Sequence, residues 1–193
     1  TMYEIFPNKK KTWINGGIDL KLAGPGYEKK EYDAVFCGRI HPSKGIDELL
    51  EIWDLVRDVK PKAKLAIIGD GDLGKEYIKH KLFAKHGLKN YNGIDLLGYM
   101  GDERFEVYKK SKVVLYPTPL KYDHFSMAPV EAMACGCPMV AFDTPVIDKI
   151  LSKDAGVLLA EDIRDFDNLV RWFLQEENGW LEANRECAYK WAQ

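Results

Sequence analysis

Asp123 and Glu131 are separated by seven residues in the run Tyr122-Asp-His-Phe-Ser-Met-Ala-Pro-Val-Glu-Ala-Met-Ala-Cys-Gly-Cys-Pro138. The run reads as a loop that becomes a helix. Ser126 suits the N-cap, Pro129 suits the first turn, and Gly136 with Pro138 end the helix. The first N–H groups of such a helix, near Ser126, Met127 and Ala128, have no partner inside the helix and offer a place for phosphate. The loop acid and the helix acid can each accept bonds from sugar hydroxyls beside that phosphate. A sugar nucleotide has both parts. Set against this, a capped amphipathic helix between strands occurs in any α/β protein, and loop acids are usually solvated. From this run alone, structure and chemistry are equal readings.

A second group is Gly38-Arg39-Ile-His-Pro-Ser-Lys44-Gly45. Arg39 offers a planar fork for phosphate oxygens and Lys44 a point charge. Gly38 and Gly45 let the backbone come close to a ligand. On residue type alone, both cations are more readily ordinary solvated charges.

A third, Gly69-Asp-Gly-Asp-Leu-Gly74, satisfies the G-x-G-x-x-G pattern of dinucleotide-binding folds. Three features argue against a nicotinamide site. A strand and a helix precede the turn, the next acid, Asp95, begins a strand instead of ending one, and Asp70 and Asp72 would repel a pyrophosphate. His41, His80, His86 and His124 show no ligand spacing, and Cys135-Gly-Cys137 lacks the two-residue gap of metal and redox motifs.

The elements that must position these groups follow from apolar periodicity. Strands are expected at Ala34–Gly38, Lys64–Gly69, Ile94–Gly98, Val113–Tyr116, Met139–Phe142 and Gly156–Leu159. Ile46, Leu49, Leu50, Trp53 and Val56 mark one helix face. Further helices are expected through Tyr77–Phe83, Glu103–Lys110, the segment after Ser126, Phe166–Phe173 and Trp180–Trp191. Strands alternating with helices predict an α/β fold, a Rossmann-like parallel sheet with helices on both faces. Residues 1–32 read as a linker or edge segment, 33–178 as the domain and 179–193 as a C-terminal helix. Ligands of such sheets gather at the carboxyl ends of strands, and the candidate loops follow the first, third and fourth strands.

The chain has 193 residues, 46% hydrophobic and 30% charged, with a net charge of −2. These values fit a globular domain without a general pull on nucleic acid. No run approaches a membrane span of about 20 apolar residues. Four cysteines without metal or redox spacing suit a reducing cytoplasm.

Asp123, Phe125, Glu131, Ala132, Ala134, Gly136 and Pro138 together resemble the signature of the family 4 (group 1) retaining glycosyltransferases of GT-B fold. Two positions differ: Asp123 stands where the family has Glu, and Ser126 where it usually has Gly. Ser126 would be costly if its φ had to be positive. Gly38-Arg39 and Lys44-Gly45 match the family in full, and the Gly-Asp-Gly turn and Leu97-Gly98-Tyr99-Met100 are similar to it. The resemblance extends from about Lys11 to Trp191 and corresponds to the donor-binding C-terminal half of a GT-B enzyme.

That resemblance implies specific roles. Arg39 and Lys44 hold the donor diphosphate and stabilise its charge as it leaves, Glu131 binds the ribose hydroxyls, and Asp123 lies near the donor sugar as a catalytic acid, either a nucleophile or, with its shorter reach, the preferred positioning group. Tyr99 and Met100 border the base, and the Gly-Asp-Gly turn is structural. It implies a UDP- or GDP-sugar donor and hexose transfer with retention; no acidic metal cluster is evident in the sequence, so metal independence, with no cofactor, is expected. The acceptor would sit in a missing N-terminal domain, and the whole enzyme would be cytoplasmic or peripheral to a membrane that carries the acceptor. Thr1 in place of Met favours a fragment. The alternative is a non-catalytic nucleotide-sugar binding module, or one subunit of a split transferase.

Overall fold

The structure is a computed structural model and describes residues 17–26, 29–71, 76–80, 93–122, 126–150, 156–175, 184 and 186–190. Six strands form one sheet: β1 Tyr32–Cys37, β2 Leu65–Ile68, β3 Ile94–Gly98, β4 Ser111–Tyr116, β5 Met139–Phe142 and β6 Val157–Ala160. Their order is β3-β2-β1-β4-β5-β6, and every pairing is parallel. The helices are α1 Ile46–Val59, α2 Arg104–Lys109, α3 Met127–Ala134, α4 Pro145–Ile150 and α5 Ile163–Gln175. Residues 76–80 and 186–190 are also helical. This is the Rossmann-like architecture expected from the alternating pattern. The sequence pattern did not announce α4 or the 3-10 turns at Pro42–Lys44 and Leu120–Tyr122.

Side chains alternate across the sheet, so each strand feeds two cores. Ala34 and Phe36 of β1 join Leu65, Ile67, Val113 and Leu115 under α1 and α5, with Trp53 and Phe166 both buried. Phe142 meets Phe166 edge to face, ring centres 5.1 Å apart. Val35 of β1 joins Ala66, Ile68, Val114 and Tyr116 on the other face. Phe105 and Tyr108 of α2 and Ala132, Met133 and Ala134 of α3 cover that face. The small α3 residues let its backbone lie close to the sheet. Residues 17–26 also reach this second core, where Ala23 is fully buried and the Gly26 N–H donates to the Cys135 carbonyl.

The strand order reverses direction between β1 and β4. The chain leaves β1 toward one side of the sheet and β4 toward the other, which opens a crevice at their carboxyl ends.

Candidate functional site at the carboxyl ends of β1 and β4

The first wall of the crevice is the loop after β1. Gly38 N–H donates to Ile68 O, and Ile40 N–H donates to Asp70 O, so this loop is tied to the one after β2. Gly69 has φ 135, and a Cβ there would lie 1.9 Å from the Gly38 carbonyl oxygen. Asp70 folds back so that its Oδ1 accepts the Gly71 N–H, 2.9 Å away. The two described glycines of the G-x-G-x-x-G match therefore serve close packing of two loops, as expected; Asp72, Leu73 and Gly74 lie outside the described residues.

His41 accepts the Ser43 N–H at its Nδ1 (3.1 Å) and so caps the 3-10 turn that carries Lys44. Arg39 is exposed, whereas Ile40 beside it is buried. Lys44 is half-buried, with its stem near Gly38. Burial first, and the neighbouring Arg39 charge second, hold the Lys44 ammonium below the ordinary lysine range. Two cations brought together against their mutual repulsion are a suitable host for an anion.

The second wall follows β4. Gly45, at φ 75, lies so close to Pro117 that a Cβ would meet the Pro117 oxygen at 1.8 Å. This contact fastens the Lys44 loop to the start of the segment leading to α3. Ser126 sits at the N-cap with φ −130, so its replacement of glycine carries no left-handed strain. Its side chain makes no capping hydrogen bond, and no acidic residue occupies the first turn. The amides of Met127 and Ala128 thus open a helix whose first turn carries neither acid nor base. At the other end α3 closes with a Schellman cap: Gly136 N–H donates to Met133 O and Cys137 N–H to Ala132 O. Asp123 and Phe125 lie outside the described residues.

Glu131 is the fifth residue of α3 and points to a partner that sequence reasoning missed. Arg104, first residue of α2, donates from Nε to Glu131 Oε2 (2.8 Å) and from Nη2 to Oε1 (2.9 Å). Its Nη1 donates to the Gly101 carbonyl at 2.6 Å, and the guanidinium lies 4.5 Å from the centre of the Phe105 ring. The side chains of Arg104 and Glu131 are 23% and 14% exposed, so the pair is largely shielded from water. The Glu131 bond is the main cause that raises the Arg104 pKa. Sequence offered one weak sign. A base at the start of a helix opposes the helix dipole and needs an anion elsewhere to hold it. The two lie 27 positions apart in the chain, so no local spacing named Glu131 as that anion.

Glu131 is also close enough to raise the Cys37 thiol pKa, although burial is the larger cause. Cys37 ends β1, two residues before Arg39. Arg39 and Lys44 follow β1, Glu131 lies in the helix that follows β4, and the two strands are parallel neighbours, so all three belong to one end of the sheet. Tyr99, at 83% exposure, and half-buried Met100 follow β3 at the same end. Among the described residues no group of His, Cys, Asp and Glu could hold a metal ion, and no helix is long and apolar enough to cross a membrane.

This architecture has counterparts among known proteins. The O-antigen chain mannosyltransferase B of Escherichia coli is 28% identical over 84% of this chain and 40% of its own length. The chain spans less than half the length of the curated relatives it matches. Among solved structures, a mutant of S. aureus TarM in complex with fondaparinux, alpha-GlcNAc-glycerol and UDP superposes with a TM-score of 0.79 at 21% identity. The superposition covers 98% of this chain and 37% of that one. The C-terminal domain of a group 1 glycosyl transferase (LpcC) from Francisella tularensis superposes with a TM-score of 0.72 at 16% identity. It covers 91% of this chain and 96% of that domain. The fold is thus that of the C-terminal half of a GT-B protein. Residues 20–191 match the family described as glycosyl transferases group 1, and the chain belongs to that family.

Proposed function

We propose that this chain is the donor-binding half of a retaining glycosyltransferase that takes a UDP- or GDP-sugar and transfers its hexose. The observation that carries the reading is the pairing of two walls across the β1/β4 crevice. Arg39 and Lys44 stand on one, and the α3 N-terminus without first-turn charge stands on the other. The contact of Gly45 with Pro117 ties the Lys44 loop to the end of β4. The UDP bound to TarM supports a nucleotide donor for this fold.

In this reading the diphosphate lies between the cations and the α3 amides. It gains negative charge as the glycosidic bond breaks, and these groups stabilise that charge in place of a metal ion. Glu131 accepts the ribose hydroxyls, Tyr99 and Met100 border the base, and Asp123 positions the donor sugar beside Phe125. The acceptor binds the other half of the enzyme, so the chain alone binds donor and turns over little.

A thermal-shift panel of UDP, GDP and ADP tests this. A ligand at 100-fold over its Kd stabilises by about 2.7 kcal/mol. Arg39→Ala is expected to remove the response while the unliganded transition stays in place, and EDTA is expected to change nothing. A panel without any response, or an Arg39→Ala protein that responds like the parent, refutes the reading.

A further inference from the structure

Arg104 holds Glu131 in a way that goes beyond an ion pair. Its fork takes one lone-pair direction from each carboxylate oxygen. An ionised carboxylate has about four such directions, so one or more remains on each oxygen. The two oxygens, held in a fixed plane, can then accept two neighbouring hydroxyls. The same guanidinium donates to the Gly101 carbonyl, which lies in the loop that follows β3 and carries Tyr99 and Met100. The Phe105 ring below it and its 23% exposure limit its freedom to swing away. Arg104 also compensates a carboxylate that would otherwise stand uncompensated in a site for a diphosphate.

We infer that Arg104 is a positioning residue that orients Glu131 for a vicinal diol and locks it to the base-side loop, which makes this pair the determinant of ribose recognition. The inference rests on the donor-domain reading above. It assigns Arg104 no contact with the reacting atoms.

The test compares affinities of this chain for UDP and GDP with those for their 2′,3′-dideoxy counterparts by calorimetry. The parent is expected to favour the ribonucleotide by about 10- to 100-fold, as befits hydrogen bonds to a charged acceptor. In Arg104→Met the preference falls to about 1- to 3-fold, and affinity for the ribonucleotide falls with it. Arg104→Lys keeps the charge without the fork. It is expected to retain more of the affinity, yet show a preference below about a third of the parent's. Should Arg104→Met fail to fold, Arg104→Lys decides.

A folded Arg104 variant with the parental preference overturns the inference. So does a parent that binds both nucleotide types equally, an outcome that leaves the diphosphate reading standing. A parent that binds no nucleotide overturns the donor-domain reading and this inference together.

Discussion

Gly45→Ala tests the joint between the two walls of the site. Gly45 has φ 75, a left-handed conformation that costs an L-residue about 1–2 kcal/mol. The new Cβ would lie 1.8 Å from the Pro117 oxygen, 2.4 Å from the Pro117 carbonyl carbon and 3.1 Å from the Thr118 nitrogen. All three are backbone atoms at the end of β4, so no flexible side chain can yield. Overpacking of this kind adds about 1–3 kcal/mol. Together the two effects give a loss of about 2–5 kcal/mol, against about 5–15 kcal/mol for a whole domain. Urea denaturation followed by circular dichroism reads this directly. With a slope near the top of the usual range of about 1–3 kcal/mol/M, the midpoint falls by about 1–2 M. Affinity for UDP falls as well, because Lys44 precedes Gly45 and moves with it. Gly24→Ala is the control: nothing lies within 4 Å of its added Cβ. It should shift stability by no more than about 1 kcal/mol, in the stabilising direction. A Gly45→Ala protein within about 1 kcal/mol of the parent would mean that the two loops are not in contact as described.

Two further outcomes are expected. The Lys44 ammonium is held below the usual lysine value in the folded chain, so the folded state binds that proton less tightly than the unfolded one. Its cost to stability is full at neutral pH and fades as pH rises through the lowered value toward the ordinary lysine range. A diphosphate favours the charged form, so calorimetric affinity for UDP should weaken across that same alkaline window, and the dependence should flatten in Lys44→Met; an identical slope in the variant argues against Lys44 as a phosphate ligand. The four cysteines are all thiols. Burial pushes the Cys135 thiol up to about 12, Cys137 is buried, and Cys187 is exposed. A thiol-reactive chromophore should label Cys187 rapidly in the native protein, while Cys135 and Cys137 react only in denaturant. Rapid native labelling of Cys135 would contradict the packing of α3 on the sheet.

Much of this protein is written in short-range pattern. Apolar runs of four to six residues between turn residues located all six strands, because strands covered on both faces have no solvent side to interrupt the run. Boundaries differ only slightly, as at β1, which begins at Tyr32 instead of Ala34. The six-residue helix α4 was not announced by the sequence pattern. Gly38, Arg39, Lys44, Ser126, Met127, Ala128 and Glu131 were singled out because each lies in a loop, or within two turns of a loop, that follows a strand; the roles given to them came from the family resemblance. Asp123 was singled out in the same way and Phe125 by the resemblance alone; both lie outside the described residues.

Tertiary structure decided what those residues face. The strand order β3-β2-β1-β4-β5-β6 sets the loop after β1 beside the loop after β4, and sequence order alone carries no such adjacency. It also brings Arg104 of α2 onto Glu131 of α3, two helices on one face of the sheet. Local sequence reports what a residue can offer within a few positions along the chain. A bidentate ion pair between separate helices depends on where the sheet places them, and that is settled only when both cores close.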